Sequence, residues 1–383
     1  MSFKTARLLL LAVIPLVLLS ISSTWIMELL WLSELGYSQI FWTLKTTQVV
    51  LITAASLVIG SYLVPNFRYL AGQLKNISLS GTPLQGIDID IHSAEQQKRI
   101  KQFFTLGALV VTAMFAFGFY IRWDESLRFI WNEPFGEVDP VFGNDIGFYL
   151  FQLPFWELLQ SSLLILTFLT TAILIIVYLF TGMLGMQPGK GISMSPGIRN
   201  HLSINVGLWL LFLAWGFYLD RYGLLLSPEG IVFGATYTDI VVELPSLWIL
   251  FFIALALSIM VFASRWISFG KILPGVAILG VIVFAGGRGI LPGFVQSFSV
   301  DPNELELETP HLENNIAMTR LAFGIDDIEE IEYQADDTLD IQDIRNNQDA
   351  VDNIRLWDPR LLIQTYKQLQ EIRSYYEFYS VDN

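Results

Sequence analysis

Seven long apolar segments are the feature of this sequence that most limits its possible folds. Each reaches or approaches the roughly 20 residues that a helix needs to cross the hydrocarbon core of a bilayer, which is about 30 Å thick. Their approximate bounds are residues 8–27, 47–64, 103–121, 158–182, 206–219, 247–263 and 272–287. We therefore predict an all-α membrane protein with about seven transmembrane helices.

The charged residues divide the chain at Arg288. Up to that residue the sequence contains 16 acidic and 16 basic side chains, whereas the remainder contains 20 acidic and 6 basic ones. The net charge of −14 therefore lies in the last quarter of the chain. We predict a transmembrane domain at residues 1–288, followed by an acidic, mostly helical (α or α+β) extracytoplasmic region at residues 289–383.

The basic residues predict the orientation in the membrane. With the N-terminus in the cytoplasm, the inner segments contain eleven Lys and Arg residues and the outer connections contain five, which agrees with the excess of positive charge on cytoplasmic loops. With seven spans, the acidic region lies outside. We therefore expect a multi-pass membrane protein with a cytoplasmic N-terminus, whose partners include the lipid bilayer.

The composition excludes several kinds of chemistry. Cysteine is absent and the three histidines are far apart, so a thiolate site or a histidine-rich metal site is not expected. Basic runs long enough to bind nucleic acid are absent. The predicted span cores contain no Asp, Glu, Lys, Arg or His, whereas a coupled transporter usually keeps at least one. We expect no catalytic residues and no cofactor.

A cluster of acidic residues in the last region is a weak metal-site candidate. Asp336, Asp337, Asp340 and Asp343 are close in sequence, and Ca²⁺ prefers several oxygen ligands. The spacing differs from that of an EF-hand loop and lacks its glycine. A solvated helix face is the preferred interpretation.

Several capping signals predict where helices begin. Ser93, followed by Gln96, predicts a helix start near Ala94. Thr309 before Pro310 and Asp358 before Pro359 predict two further starts. The second of these opens a stripe at helical spacing that is typical of a packing face: Leu362, Tyr366, Leu369, Ile372 and Tyr376.

Five stretches together resemble the bacterial UPF0182 family of uncharacterised multi-spanning membrane proteins. They are "DIGFYLFQLPF" (145–155), "LDRYGLLLS" (219–227), "GATYTDIVVELP" (234–245), "VDPNELELETPHLENNIAMTRLAFGI" (300–325) and "NIRLWDPRLLIQTYKQLQEIRSYYEFYSVD" (353–382). The resemblance implies a group of spans followed by a large extracytoplasmic region. It also implies a truncated or split member, because the family is usually longer. The family supplies no catalytic residues to transfer.

Two of these stretches contain the residues that we expect to hold the acidic region against the membrane domain. Asp220, Arg221 and Tyr222 lie on the same predicted outer loop as Tyr237, Thr238 and Asp239. The principal hypothesis is a non-catalytic membrane anchor that presents a partner-binding region, whose partner is an unknown protein or the missing C-terminal continuation. The alternatives are a transporter or channel component and a cation-dependent extracytoplasmic enzyme.

Overall fold

The computed structural model describes residues 22–74, 93–187, 191–228, 230, 232–267, 272–329, 331–332, 340–354, 358–370 and 379–380. Compact units extend over Met1–Ala322 and Phe323–Asn383. The predicted division at Arg288 marks a change of charge. The first compact unit extends further, because the helix that passes through Arg288 continues to Ala322.

The described part of the first unit is helical apart from one hairpin. The helices up to the hairpin are α1 (residues 22–34), α2 (Ser38–Gln73), α3 (Ala94–Ile121), α4 (Trp123–Ile130) and α5 (Leu153–Phe180), with a π-helical turn at Phe148–Gln152 leading into α5. Antiparallel strands β1 (Leu184–Gln187) and β2 (Gly191–Met194) follow. Next come α6 (Pro196–Gly223), which runs into a 3₁₀ turn (Leu224–Leu226), and α7 (Leu244–Ala263), which is preceded by a π-helical turn (Asp239–Glu243).

The last part of the first unit is a continuous helical path, here called the column. The column extends from Ile272 to Ala322 and contains α8 (Ile272–Ala285), α9 (Leu291–Val295) and α10 (Glu304–Ala322). The π-helical turns Gly286–Ile290 and Gln296–Val300 and the 3₁₀ turn Asp301–Asn303 join them.

Six helical stretches of the described chain are long and apolar enough to cross a membrane. They overlap six of the seven predicted spans, and each extends beyond the predicted bounds at one end or both: Ser38–Gln73, Ala94–Ile121, Phe148–Phe180, Pro196–Leu226, Asp239–Ala263 and Ile272–Ala322. Most of the predicted span at residues 8–27 lies outside the described residues, so the count of seven stays a prediction. The extended ends include ionisable residues that the predicted cores did not, such as His201 and Asp220.

Neighbouring helices in the first unit run antiparallel, so their ends form two sets. We call one set the acidic end, and it contains the beginnings of α2, α5 and α7 and the ends of α3 and α6. The basic end contains the opposite ends of these helices, with Arg68, Lys98, Lys101, Arg199 and Arg265. At the basic end, Arg199 of α6 donates to the Arg265 carbonyl at the end of α7, at 3.5 Å. The position of these basic residues at one set of helix ends agrees with the charge bias found in the sequence.

The core of the spans joins α2, α3, α5 and α6 through buried apolar side chains. Its largest fully buried members include Leu63, Leu70, Leu174 and Tyr178. Gly207 lets α6 and α7 approach closely, because a Cβ atom there would lie 2.8 Å from Cζ of Phe262. Ser258 of α7 donates to the Gly207 carbonyl at 2.8 Å. Small residues at helix contacts are the usual way to pack helices in lipid, where water exclusion contributes little.

Two aspartates organise the loop between α4 and the beginning of α5. Asp139 is buried, and its carboxylate accepts hydrogen bonds from the backbone N–H groups of Val141, Phe142 and Asn144 and from the Tyr149 hydroxyl. The Asp145 carboxylate accepts from three further backbone N–H groups, those of residues 135, 136 and 147. A loop of this length needs acceptors for its backbone N–H groups, and these carboxylates supply them.

One predicted helix start is confirmed in the first unit and one is wrong. Ser93 caps α3, with its hydroxyl accepting from Gln96 N at 3.3 Å. Thr309 does not start a helix, because the chain already arrives there in helical conformation and α10 begins at Glu304. Pro310 therefore lies inside α10, and the Thr309 hydroxyl donates back to the Leu305 carbonyl. Gly324, with φ of +61°, follows the end of α10 at Ala322.

The described part of the second unit contains three short helices. They are α11 (Ile341–Asn346), α12 (Gln348–Asp352) and α13 (Pro359–Gln370). The predicted start at Asp358 is confirmed, because its carboxylate accepts from Arg360 N at 2.9 Å. Leu362, Tyr366 and Leu369 lie on α13, whereas Ile372 and Tyr376 of the predicted stripe lie outside the described residues. The helical prediction for this region holds for the described parts.

Candidate functional site

A cavity of about 320 Å³ lies at the acidic end, among the ends of α5, α6 and α7 and the column. Its charged lining consists of four carboxylates and one guanidinium: Glu157, Asp220, Asp239, Glu243 and Arg288. We call it the acidic cavity. The structure thus brings together Asp220 and Asp239, which are two of the six residues singled out in the sequence. The excess of carboxylates favours a cationic or hydrogen-bond-donating group over an anion.

An ion pair connects α6 to the column at the edge of the acidic cavity. Arg288 donates from Nη1 to the Asp220 carboxylate at 2.9 Å. Both side chains are partly exposed, at 33% and 45%. An ion pair at this level of exposure contributes about 1 kcal/mol or less to stability. Its main effect is to select the orientation in which the column leaves the spans.

Asp239 is held by a reciprocal turn at the beginning of the fifth candidate span. Its carboxylate accepts from the backbone N–H of Thr236 at 3.0 Å and from the Thr236 hydroxyl at 2.9 Å. The Thr236 hydroxyl in turn accepts from the Asp239 backbone N–H at 3.1 Å. A negative charge at a helix beginning is stabilised by the unpaired N–H groups there. Asp239 is only 3% exposed, and these hydrogen bonds give its buried carboxylate partners within the chain.

Arg221 and Tyr222 pack among aromatic rings. The Arg221 guanidinium carbon lies 4.0 Å from the ring centre of Tyr218 and 3.9 Å from that of Trp248. Its Nε also donates to the Tyr218 carbonyl at 2.9 Å. Tyr222 makes edge contacts with Phe142 at 5.2 Å between ring centres. Stacking on two rings offsets the desolvation of a guanidinium, so these two residues join α6 to α7 and to the α4–α5 loop.

The stretch of chain at residues 233–238, which leads into α7, contacts the column at three further points. Tyr237 N donates to both carboxylate oxygens of Glu308, at 3.2 and 3.1 Å. Thr238 Oγ1 donates to Gln296 at 2.9 Å. Asn315 Nδ2 donates to the Phe233 carbonyl at 2.5 Å. Glu308 is 8% exposed, so its bonds from Tyr237 N give its buried carboxylate a hydrogen-bond partner.

Of the six residues selected from the sequence, three contact the column directly. These are Asp220, Tyr237 and Thr238. Sequence reasoning missed Glu157, Glu243 and Arg288 in the cavity and Glu308 beside it. A usable signal was present at two of them, since Glu157 and Glu243 lie close to Pro154 and Pro245, the prolines near the beginnings of α5 and α7.

The weak metal-site candidates do not form a site within the described residues. Asp336 and Asp337 lie outside those residues. Asp340 caps α11 by accepting from Gln342 N and Asp343 N, at 2.7 and 2.8 Å, and Asp343 accepts from Asp340 N in return. These backbone bonds lower the pKa of Asp340. In the part of the chain that the structure describes, three or more His, Asp or Glu side chains are nowhere arranged to hold a metal ion.

A second polar cluster lies within the spans, near the basic end, and consists of neutral side chains. Tyr62 donates to Asn205 Oδ1 at 2.6 Å, and Asn205 Nδ2 donates to Asn66 Oδ1 at 2.8 Å. His201 bonds Asn66 Oδ1 through Nε2 at 2.9 Å and the Tyr178 hydroxyl through Nδ1 at 2.8 Å. Because an amide oxygen only accepts, Nε2 is the protonated nitrogen and Nδ1 accepts from Tyr178. We call this set the neutral network, and it ties α2, α5 and α6 together.

Comparison with known proteins gives a consistent result over the whole chain. Residues 5–383 match the model of a family described as "Uncharacterised protein family (UPF0182)". A UPF0182 protein of Salinibacter ruber is 41% identical over 93% of this chain, and one of Geobacter sp. (strain M21) is 36% identical over 96%. One of Trichodesmium erythraeum is 33% identical over 100% of it. The chain spans only 38%, 40% and 41% of these three relatives. No solved structure matches.

Proposed function

The chain belongs to the UPF0182 family, and from that premise we propose that it is a non-catalytic membrane anchor presenting a partner-binding region outside the bilayer. The observation that carries the proposal is the attachment of the column to the spans. Asp220 binds Arg288, and Tyr237 and Thr238 bind residues of the column beyond Arg288. Attachment at several points favours a fixed support over a flexible tether.

The length of the column supports a segment that leaves the bilayer. Its 51 residues of continuous helical path measure about 75 Å at roughly 1.5 Å per residue. The hydrocarbon core is only about 30 Å thick. The first part is apolar, whereas α10 contains Glu304, Glu306, Glu308 and Glu313. We therefore place α10 outside the bilayer at the acidic end.

The difference in charge between the two ends supports an orientation in the membrane. We propose that the acidic end faces the outside of a bacterial cell and that the N-terminus is cytoplasmic, as the basic residues predict. The natural absence of cysteine makes a direct test possible. A cysteine introduced at Ser380 is expected to react with an impermeant thiol reagent in intact cells, and one at Glu95 is expected to react only after permeabilisation. The reverse labelling pattern would refute the orientation.

Apolar side chains on the second unit support a partner-binding role. On α13, Leu361 is 62% exposed and Leu369 is 65% exposed. The chain spans about two fifths of the relatives named above. We propose that the partner is a polypeptide equivalent to the remaining part of those relatives, which covers this apolar surface.

Co-expression tests the proposed partner. A tagged chain would be expressed with the portion of the Salinibacter ruber relative that this chain does not match, and both would be purified from detergent-solubilised membranes. We expect co-purification, and Leu369→Asp is expected to lower recovery of the partner at least fivefold, because a carboxylate in an apolar contact loses its hydration. Gln364→Asp, about 140° around the axis of α13 from Leu369, is the matched control. Equal recovery for both variants would contradict the proposal.

The neutral network favours a second candidate, a transporter or channel component, because polar residues inside spans often mark a path for solutes. Against this, each of its five side chains has a hydrogen-bond partner within the chain. Flux of ions or small solutes through vesicles that contain the purified protein, lost in Asn205→Ala, would favour transport over the anchor.

A further inference from the structure

A groove of about 720 Å³ lies at the basic end, between α2 and α3. One wall is Arg68 of α2, and the other is a single face of α3 whose residues recur every three or four positions. The groove is on the opposite end of the first unit from the acidic cavity. Neither the family resemblance nor the proposed anchor function uses it.

The chemistry of the groove changes in order along α3. Arg68, Lys98 and Lys101 supply positive charge at the mouth. Gln102 and Thr105 follow with neutral hydrogen-bonding groups, and Leu106 and Leu109 complete the wall with apolar surface. The eleven residue steps from Lys98 to Leu109 correspond to about 16 Å along the helix axis.

The three cations at the mouth have no carboxylate partner among the described residues. The neighbouring Arg99 differs, because it pairs with Glu95 at 2.7 Å and does not line the groove. Three positive groups that line one groove without a counter-ion among the described residues favour an anion, and a guanidinium together with ammonium groups is a common set for binding phosphate.

We propose that this groove binds an anionic glycerophospholipid. The phosphate lies among Arg68, Lys98 and Lys101, the glycerol ester region lies beside Gln102 and Thr105, and an acyl chain lies along Leu106 and Leu109. The order of charged, polar and apolar surface matches the order of these parts in the lipid. A free phosphate would use the mouth alone and would leave the apolar wall without a function.

Lipid titration of the purified full chain in a non-ionic detergent tests the proposal. Phosphatidylglycerol, phosphatidylcholine and soluble glycerol 3-phosphate would be compared by native mass spectrometry. We expect phosphatidylglycerol to bind at least tenfold more tightly than either of the others. The double variant Lys98→Gln/Lys101→Gln is expected to lose about 25-fold in affinity for phosphatidylglycerol, or about fivefold per lysine.

Arg99→Gln is the matched control, because it removes one positive charge from the same turn of α3 outside the groove. We expect it to change the affinity less than twofold. If Arg99→Gln lowered the affinity for phosphatidylglycerol by the roughly fivefold expected per lysine, the proposal would be overturned in favour of general electrostatic attraction to the surface. Equal binding of both phospholipids, or of glycerol 3-phosphate and phosphatidylglycerol, would also overturn it. Unchanged thermal stability of the lysine variants without lipid would show that they remain folded.

Discussion

At the acidic end of the first unit, carboxylates accept hydrogen bonds from groups of the same chain, whereas at the basic end Arg68, Lys98 and Lys101 have no carboxylate partner among the described residues. Asp139 and Asp239 each bind backbone N–H groups, and Glu308 binds Tyr237 N. Near the basic end, the neutral network joins the helices instead. These acidic side chains therefore bind groups of the chain itself, whereas Arg68, Lys98 and Lys101 make no ion pair within the described residues.

The difference follows from what each end has to satisfy. The acidic end includes long connections such as residues 131–147, whose backbone N–H groups lack helical partners and need acceptors. A carboxylate accepts several such bonds, which an ammonium group cannot do. At the basic end, the described connection between α5 and α6 is a hairpin whose strands satisfy each other's backbone groups. Three predictions test this contrast.

The largest effect is expected from Asp139→Ala at the acidic end. The substitution leaves three backbone N–H groups and the Tyr149 hydroxyl without their acceptor. We expect the free energy of unfolding to fall by about 3 kcal/mol, because hydrogen bonds to charged groups contribute about 1.5–3 kcal/mol each and water replaces some of them. Denaturant titration in detergent measures this change. Glu137→Ala, an exposed residue of the same loop, is the control and should change it by less than about 0.5 kcal/mol.

An intermediate effect is expected from Asn205→Ala in the neutral network. Asn205 is fully buried and bonds Tyr62, Asn66 and the His201 carbonyl. Interhelical hydrogen bonds in membranes contribute about 0.6–2 kcal/mol, so we expect a loss of about 1–2 kcal/mol in the same titration. Asn200→Ala, on an exposed position of the same helix, should have little effect. A loss as large as that of Asp139→Ala would contradict the contrast between charged and neutral contacts.

The smallest effect concerns pH and Asp145. Hydrogen bonds from the backbone N–H groups of Phe135, Gly136 and Gly147 lower the pKa of Asp145. A lowered folded-state pKa means that its stabilisation is fully present above the unfolded pKa of about 3.9 and is lost as the pH falls through the folded value. Wild type should therefore have a slightly higher Tm than Asp145→Asn at pH 6, and the gap should close below about pH 4. Glu133→Gln, in the same loop, should show no such gap. A gap that persists at low pH would refute this origin.

The sequence by itself determined the all-α class, the approximate positions of six helices that are long and apolar enough to cross a membrane, and the caps at Ser93 and Asp358. Those features depend on contiguous apolar length and on hydrogen bonds between residues two to three positions apart, so they are visible in a short window. The predicted helix start at Thr309 was wrong, because a capping signal in the sequence starts no helix where the chain is already helical.

Tertiary structure alone decided which side chains meet. Glu308 and Tyr237 are 71 positions apart, and Asn66 and Asn205 are 139 apart. The acidic cavity, the neutral network and the groove depend on the rotation of each helix about its axis and on which helices are neighbours. Packing across the whole unit sets those quantities, because lipid-facing and protein-facing sides of a span are almost equally apolar and the sequence pattern hardly distinguishes them.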